Sequence, residues 1–198
     1  MSARTDEVDD LPPEVREGTG VRACGEKLLG YALTVIAADV EGVVDSAGAW
    51  LCDRVRAGWR VTVQLPAGHE VRPLTVVGLH TTAESVTDLV CRQPPAALAI
   101  DARRLRRDDR LRDTVLRVVD DGRTEVTVWG ESALLGADDR FGAVRHRPSA
   151  AARAFKAHAQ LADGRVVTAH DELFISAALW YPPDGADLVP LHTSLSTG

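Results

Sequence analysis

Ala49-Trp50-Leu51-Cys52-Asp53-Arg54-Val55-Arg56-Ala57-Gly58-Trp59-Arg60-Val61-Thr62-Val63 decides the fold. It is the end of an amphipathic helix, one glycine, and then a short β-branched strand. A glycine just past a helix takes the left-handed conformation that lets the last carbonyls find partners, so the chain turns into a strand with almost no loop. The same unit returns from Leu111 through Gly122 into Glu125-Val126-Thr127-Val128. Two such junctions mark the seams of an α/β sheet.

Working outward, Leu33-Thr34-Val35-Ile36-Ala37-Ala38 is a continuous apolar run, as expected of a parallel-sheet strand covered on both faces. Asp39 follows as the candidate N-cap of a helix whose apolar face is Val40, Val43, Val44, Ala47, Leu51 and Val55. Strand two is predicted over Val61–Leu65 and strand three over Leu74–Leu79. The polar loop between them is too short for a crossover helix, so a hairpin or a sheet-edge excursion is expected. Ala83–Cys91 reads as a short helix and Ala97–Ile100 as a strand with Asp101 at its C-terminal end. The Arg-rich stretch Arg103–Asp113 leads into a helix with the face Leu111, Val115, Leu116 and Val119, followed by strand Val126–Trp129. Gly130–Gly142 reads as a loop. Ser149 caps a helix over Ala150–Leu161, and Val166–Thr168 and Leu173–Leu179 read as closing strands, the second equally readable as a helix.

The expected architecture is a single doubly wound, mostly parallel α/β sheet, Rossmann-like, of about five strands with a mixed edge. It spans residues 23–181, behind a disordered acidic arm over 1–22 and before a flexible Pro-, Gly- and Ser/Thr-rich tail over 182–198. With 198 residues the chain is long enough to bury a core without staples.

A net charge of -6 argues against general nucleic-acid binding or a membrane surface, because both need a surplus of Lys and Arg facing a polyanion. Lysine occurs only at Lys27 and Lys156, a bias typical of a GC-rich coding sequence such as an actinobacterial one. Cys24, Cys52 and Cys91 are odd in number and contain no CxxC pair, which points to neither a disulfide framework nor zinc and suggests a reducing cytoplasm. The six histidines show no metal spacing, and no serine sits in a GxSxG elbow.

In an open parallel sheet, ligands bind outside the C-terminal strand ends. Asp39, Glu41, Asp101, Gly130, Glu131 and Ser132 are therefore the residues to inspect. The turn Ala38-Asp39-Val40-Glu41-Gly42 lacks the three glycines of a dinucleotide fingerprint and carries acids that repel phosphate. The Arg-rich stretch is interleaved with Asp101, Asp108, Asp109 and Asp113 and reads as a solvated helix face. Arg145 and Arg147, with Ser149 opening the next helix, form a second candidate site, for a small anion.

Val35 through Ser46 resembles the first motif of the haloacid dehalogenase-like phosphatases, in which an apolar strand ends in Asp-x-Asp-Gly. The resemblance implies Asp39 as nucleophile, Glu41 as general acid and magnesium as cofactor. Trp129-Gly130-Glu131-Ser132 is similar to that family's late motif, which implies Glu131 as a magnesium ligand. Gln64-Leu65-Pro66 stands where the family has Thr or Ser, no Lys lies between strand two and the late motif, and both acidic positions carry Glu for Asp. Nothing in that set would stabilise the charge of an aspartyl-phosphate.

The strand ends thus offer carboxylates without a complete catalytic set. The expected function is a non-catalytic cytoplasmic binding or regulatory domain, without cofactor, for a protein partner, a second copy of the chain or a small anionic ligand. The magnesium-dependent phosphatase is the alternative.

Overall fold

Leu33, Val35, Ile36 and Ala37 are all buried, and burial on both sides is what places β1 (Ala32–Ile36) in the middle of a sheet. The computed structural model describes residues 31–91, 95–130, 138–167, 170–177 and 187–191. The sequence-predicted acidic arm lies outside them.

The chain runs from β1 through α1 (Val40–Arg56) to β2 (Arg60–Gln64), then α2 (Arg72–Val76), β3 (His80–Thr82), α3 (Val86–Cys91) and β4 (Ala97–Asp101). It continues with α4 (Ala102–Arg107), α5 (Asp109–Asp121), β5 (Glu125–Trp129), β6 (Gly142–His146), α6 (Ala150–Ala162), β7 (Glu172–Ala177) and β8 (Leu188–Pro190). The strand order is β3-β2-β1-β4-β5-β7-β6-β8. The five strands from β3 to β5 are parallel, with Val35 opposite Val63 on one side and Ala99 on the other. β7, β6 and β8 extend the sheet through antiparallel pairings.

Among the described residues eight strands, not about five, therefore make the sheet. β6 starts at the last residue of the expected loop and runs through 143–146, for which the sequence predicts no element, and β8 lies inside the expected tail. Leu173–Leu179 resolves as strand up to Ala177, and residues 178–179 lie outside the described part. Val166 and Val167 belong to no strand, and Thr168 is likewise outside.

The expected third strand is a helix. Leu74–Leu79 begins inside α2, whose first turn holds Pro73, a residue with its φ preset for a helix start and no N–H to lose there. Leu74 and Val77, three apart, are buried on one side of this turn, and Gly78 at φ 83° leads into β3. β3 is parallel to β2, so the connection is a crossover and not a hairpin.

Helices cover both faces. Leu33, Val35, Ala97 and Ala99 pack with α1, α2 and α6, while Ile36, Leu98 and Ile100 pack with α3, α4 and α5. Cys52 is a buried free thiol in the first layer. Among the described residues no helix is long and apolar enough to cross a membrane.

Candidate functional site

The strand order reverses between β1 and β4, and the crevice beyond their C-terminal ends is where α/β sheets of this kind place ligands. Asp39, extended at φ -157°, caps α1 by accepting the Gly42 N–H at 2.7 Å. Asp101 ends β4, is 1% exposed, and caps α4 by accepting the Arg103 N–H at 2.8 Å. The two caps bring two carboxylates from neighbouring strands to the same place.

Arg103 bridges them. Its Nη1 donates to Asp39 Oδ2 at 2.6 Å and its Nη2 to Asp39 Oδ1 at 3.0 Å. Nε reaches both Asp101 oxygens at 3.1 Å, and Nη2 donates to Asp101 Oδ2 at 2.6 Å. Burial alone would raise the Asp39 carboxyl. The bonds from Arg103 and Gly42 and the guanidinium charge outweigh it and hold the group below its ordinary range. The same carboxylates push Arg103 still further into its protonated form. Next to it, Arg104 turns inward to the Ala37 carbonyl at 3.0 Å and to Gln64 Oε1 at 3.3 Å, tying the ends of β1 and β2. Two arginines of the sequence-predicted solvated face thus have structural roles at the strand ends, Arg103 lining the crevice and Arg104 joining β1 to β2.

The crevice has a volume of about 430 Å³ and is lined by Asp39, Glu41, Gly42, Asp45, Ser46, Asp101, Arg103, Arg106, Trp129 and Gly130. Glu41 and Asp45 face Arg165, which pairs with Glu41 at 3.1 Å and also with Asp45. Gln160 donates to Asp45 Oδ1 at 2.8 Å. Every carboxylate on the wall is matched by an arginine of the chain itself. Among the described residues no three His, Cys, Asp or Glu side chains group to hold a metal. Between Asp39 and Asp101 the place a cation would take is filled by the Arg103 guanidinium. Glu131 and Ser132 lie outside the described residues, so the late-motif resemblance has no described geometry.

The second candidate site is separate. Ser149 caps α6, accepting the Ala152 N–H at 3.0 Å, while its own N–H and Oγ–H donate to Asp53 at 3.0 and 2.6 Å. The α6 N-terminus therefore already holds an anion, and it comes from α1. Arg145 lies 3.7 Å from Asp171, and Arg147 is exposed. Asp53 is fourteen residues along α1 from Asp39, about 21 Å at the helical rise.

Sequence reasoning missed two buried ionic networks. Arg54 donates to Asp187 at 2.5 and 2.8 Å and to Glu125 at 2.9 and 3.1 Å, with its guanidinium 4.2 Å from the Trp59 ring centroid. Lys156 donates to Glu172 at 2.7 Å and to the Asp45 carbonyl at 2.6 Å, and Glu172 accepts the Ala49 and Trp50 N–H groups at 2.9 and 2.7 Å. This pair engages the backbone of α1 in mid-helix. A signal was present: Ala152, Lys156, Ala159 and Gln160 share the buried face of α6, so a lysine stood at an apolar-period position.

Comparison with protein-family models, with curated proteins and with solved structures gave no match to this chain.

Proposed function

We propose that this chain is a non-catalytic α/β binding domain whose site is the crevice beyond β1 and β4. The observation that carries the reading is the Arg103 bridge. A nucleophilic aspartate needs an oxygen aimed at its electrophile, and both Asp39 oxygens are engaged by Arg103 and Gly42. Asp101 is engaged in the same way, so the acids at the strand ends are neutralised and not poised.

The chemistry of the occupant follows from what competes with this bridge. Arg103 has nearly all its N–H groups committed, which leaves little for an anion. A second guanidinium or an ammonium group can exchange with it between the two carboxylates. The proposed ligand therefore presents a cationic group, from a basic segment of a protein partner or from a small amine.

Thermal unfolding tests this. Guanidinium and amine compounds and an Arg/Lys-rich peptide are expected to raise the Tm of the wild type, and phosphate is not. A gain with the peptide alone assigns the partner source, and a gain with the small amines assigns the metabolite source. A rise on adding magnesium and a tetrahedral fluoride analogue, lost in Asp39→Asn, would instead establish the phosphatase.

A further inference from the structure

His146 is buried, and both ring nitrogens face oxygens. Nδ1 lies 2.9 Å from the Asp187 carbonyl oxygen, which only accepts, and Nε2 lies 3.0 Å from Asp53 Oδ2. Asp53 accepts as well. The Ser149 hydroxyl takes the Ala152 N–H on its oxygen and gives its own proton to Asp53 Oδ1, while the Ser149 N–H goes to Oδ2. Burial would raise this carboxyl, but the two Ser149 bonds and His146 outweigh it and keep it below its ordinary range. A neutral imidazole carries one N–H, and two acceptors call for two. Only the imidazolium satisfies both.

We propose that His146 is a proton-operated latch for β8: as a cation it ties the edge strand to α1 and α6, and on losing a proton it releases the strand. The charged and titratable groups around it are Asp53 from α1, which its ring meets and Ser149 anchors, Glu172, its cross-strand partner on β7, which Lys156 of α6 pairs, and Asp187 immediately before β8, which Arg54 of α1 pairs. Asp53 is anchored by Ser149, so the remaining N–H stays with it. The Asp187 carbonyl then meets a lone pair. Leu188, the next residue, is the β8 partner of His146, and β8 is a three-residue edge strand held by a neighbour on one side only. The Asp187 carboxylate keeps its bonds to Arg54 and Trp50, so the strand loosens without the domain unfolding.

Amide exchange between pH 5.5 and 8.5 tests the latch. The probe is the Leu191 N–H, which donates to the Ala143 carbonyl at 2.8 Å beside β8, with Val63 in β2 as internal reference. After correction for intrinsic rates, Leu191 protection is expected to fall on the order of 10- to 100-fold across this range while Val63 stays constant. In His146→Gln the Leu191 pH dependence should vanish. Ring ¹⁵N spectra of the wild type, which need no variant, are expected to show both His146 nitrogens protonated at pH 5.5. Constant Leu191 protection, a loss shared equally by Val63, pH dependence surviving in His146→Gln, or a bare ring nitrogen at pH 5.5 would each overturn the proposal.

Discussion

Gly42 and Arg103 occupy each other's space: a β-carbon built on Gly42 would fall inside contact distance of Arg103 Nη2 and 3.0 Å from Asp39 Oδ1. The bridge over the crevice exists because one side chain on α1 is missing. Gly42→Ala is therefore expected to displace the guanidinium while leaving the fold intact. Helix propensity gains about 0.5–1 kcal/mol, and the partly exposed Arg103–Asp39 pair loses a similar amount while Nε keeps Arg103 on the buried Asp101. Unfolding free energy should change by less than about 1 kcal/mol, whereas binding of the cationic probes should change clearly. A large loss of stability would show that Arg103 cannot move aside.

Asp39 has two roles that separate by substitution. Asp39→Ala removes the N-cap and should cost about 0.5–2 kcal/mol, while Asp39→Asn keeps a capping oxygen and loses the charge. Its folded carboxyl titrates below the ordinary 3.8, so its contribution is present above that value and is lost as pH falls through the lower folded value. Denaturant unfolding between pH 2 and 6 should show this acid loss in the wild type and less of it in Asp39→Asn.

Lys156 and Glu172 form a buried pair, 5% and 1% exposed. Lys156→Met leaves an uncompensated carboxylate against α1 and should cost about 3–5 kcal/mol. Adding Glu172→Gln restores a neutral acceptor for the Ala49 and Trp50 N–H groups and should return part of that loss. A double-mutant cycle with no coupling would show that the two residues act independently.

Arg54→Ala is expected to cost about 3–5 kcal/mol at neutral pH, since Asp187 and Glu125 lose their shared cation. Burial already raises the Glu125 carboxyl above 4.5, and the Arg54 charge opposes that rise. Without Arg54 it rises further. The folded variant then holds a proton that the unfolded chain has released, so its stability falls as pH climbs from 4.5 through the raised folded value. Mild acid should recover part of the loss in Arg54→Ala and none of it in Arg54→Ala/Glu125→Gln, measured by urea unfolding.

The parallel half of the fold was legible because its strands announce themselves. β1, β2, β4 and β5 are apolar or β-branched between their end residues, and Asp39 and Ser149 stand where a helix needs a cap. Leu74–Leu79 misled because Leu, Thr and Val suit a strand by type, whereas the three-residue spacing of Leu74 and Val77 and the proline before them suit a helix turn. β6 was unreadable for a different reason. Its inward residues are Val144 and His146, its neighbour β7 turns in Glu172 and Phe174, and an interior built on ion pairs carries no apolar alternation. At the site, Asp39 and Asp101 were legible from their places at strand ends. Arg103 was not, because one arginine among six within ten residues looks like any other until the fold selects the one that meets both carboxylates.

The last strand of the sheet holds Pro190 opposite Val144, and a proline offers no N–H to a further strand. The growing edge is thereby blunted against fibril-like stacking. Removing residues from 187 onward would uncover Gly142–His146 as a fresh template for intermolecular pairing. A truncated chain should consequently self-associate at concentrations where the intact chain stays dispersed.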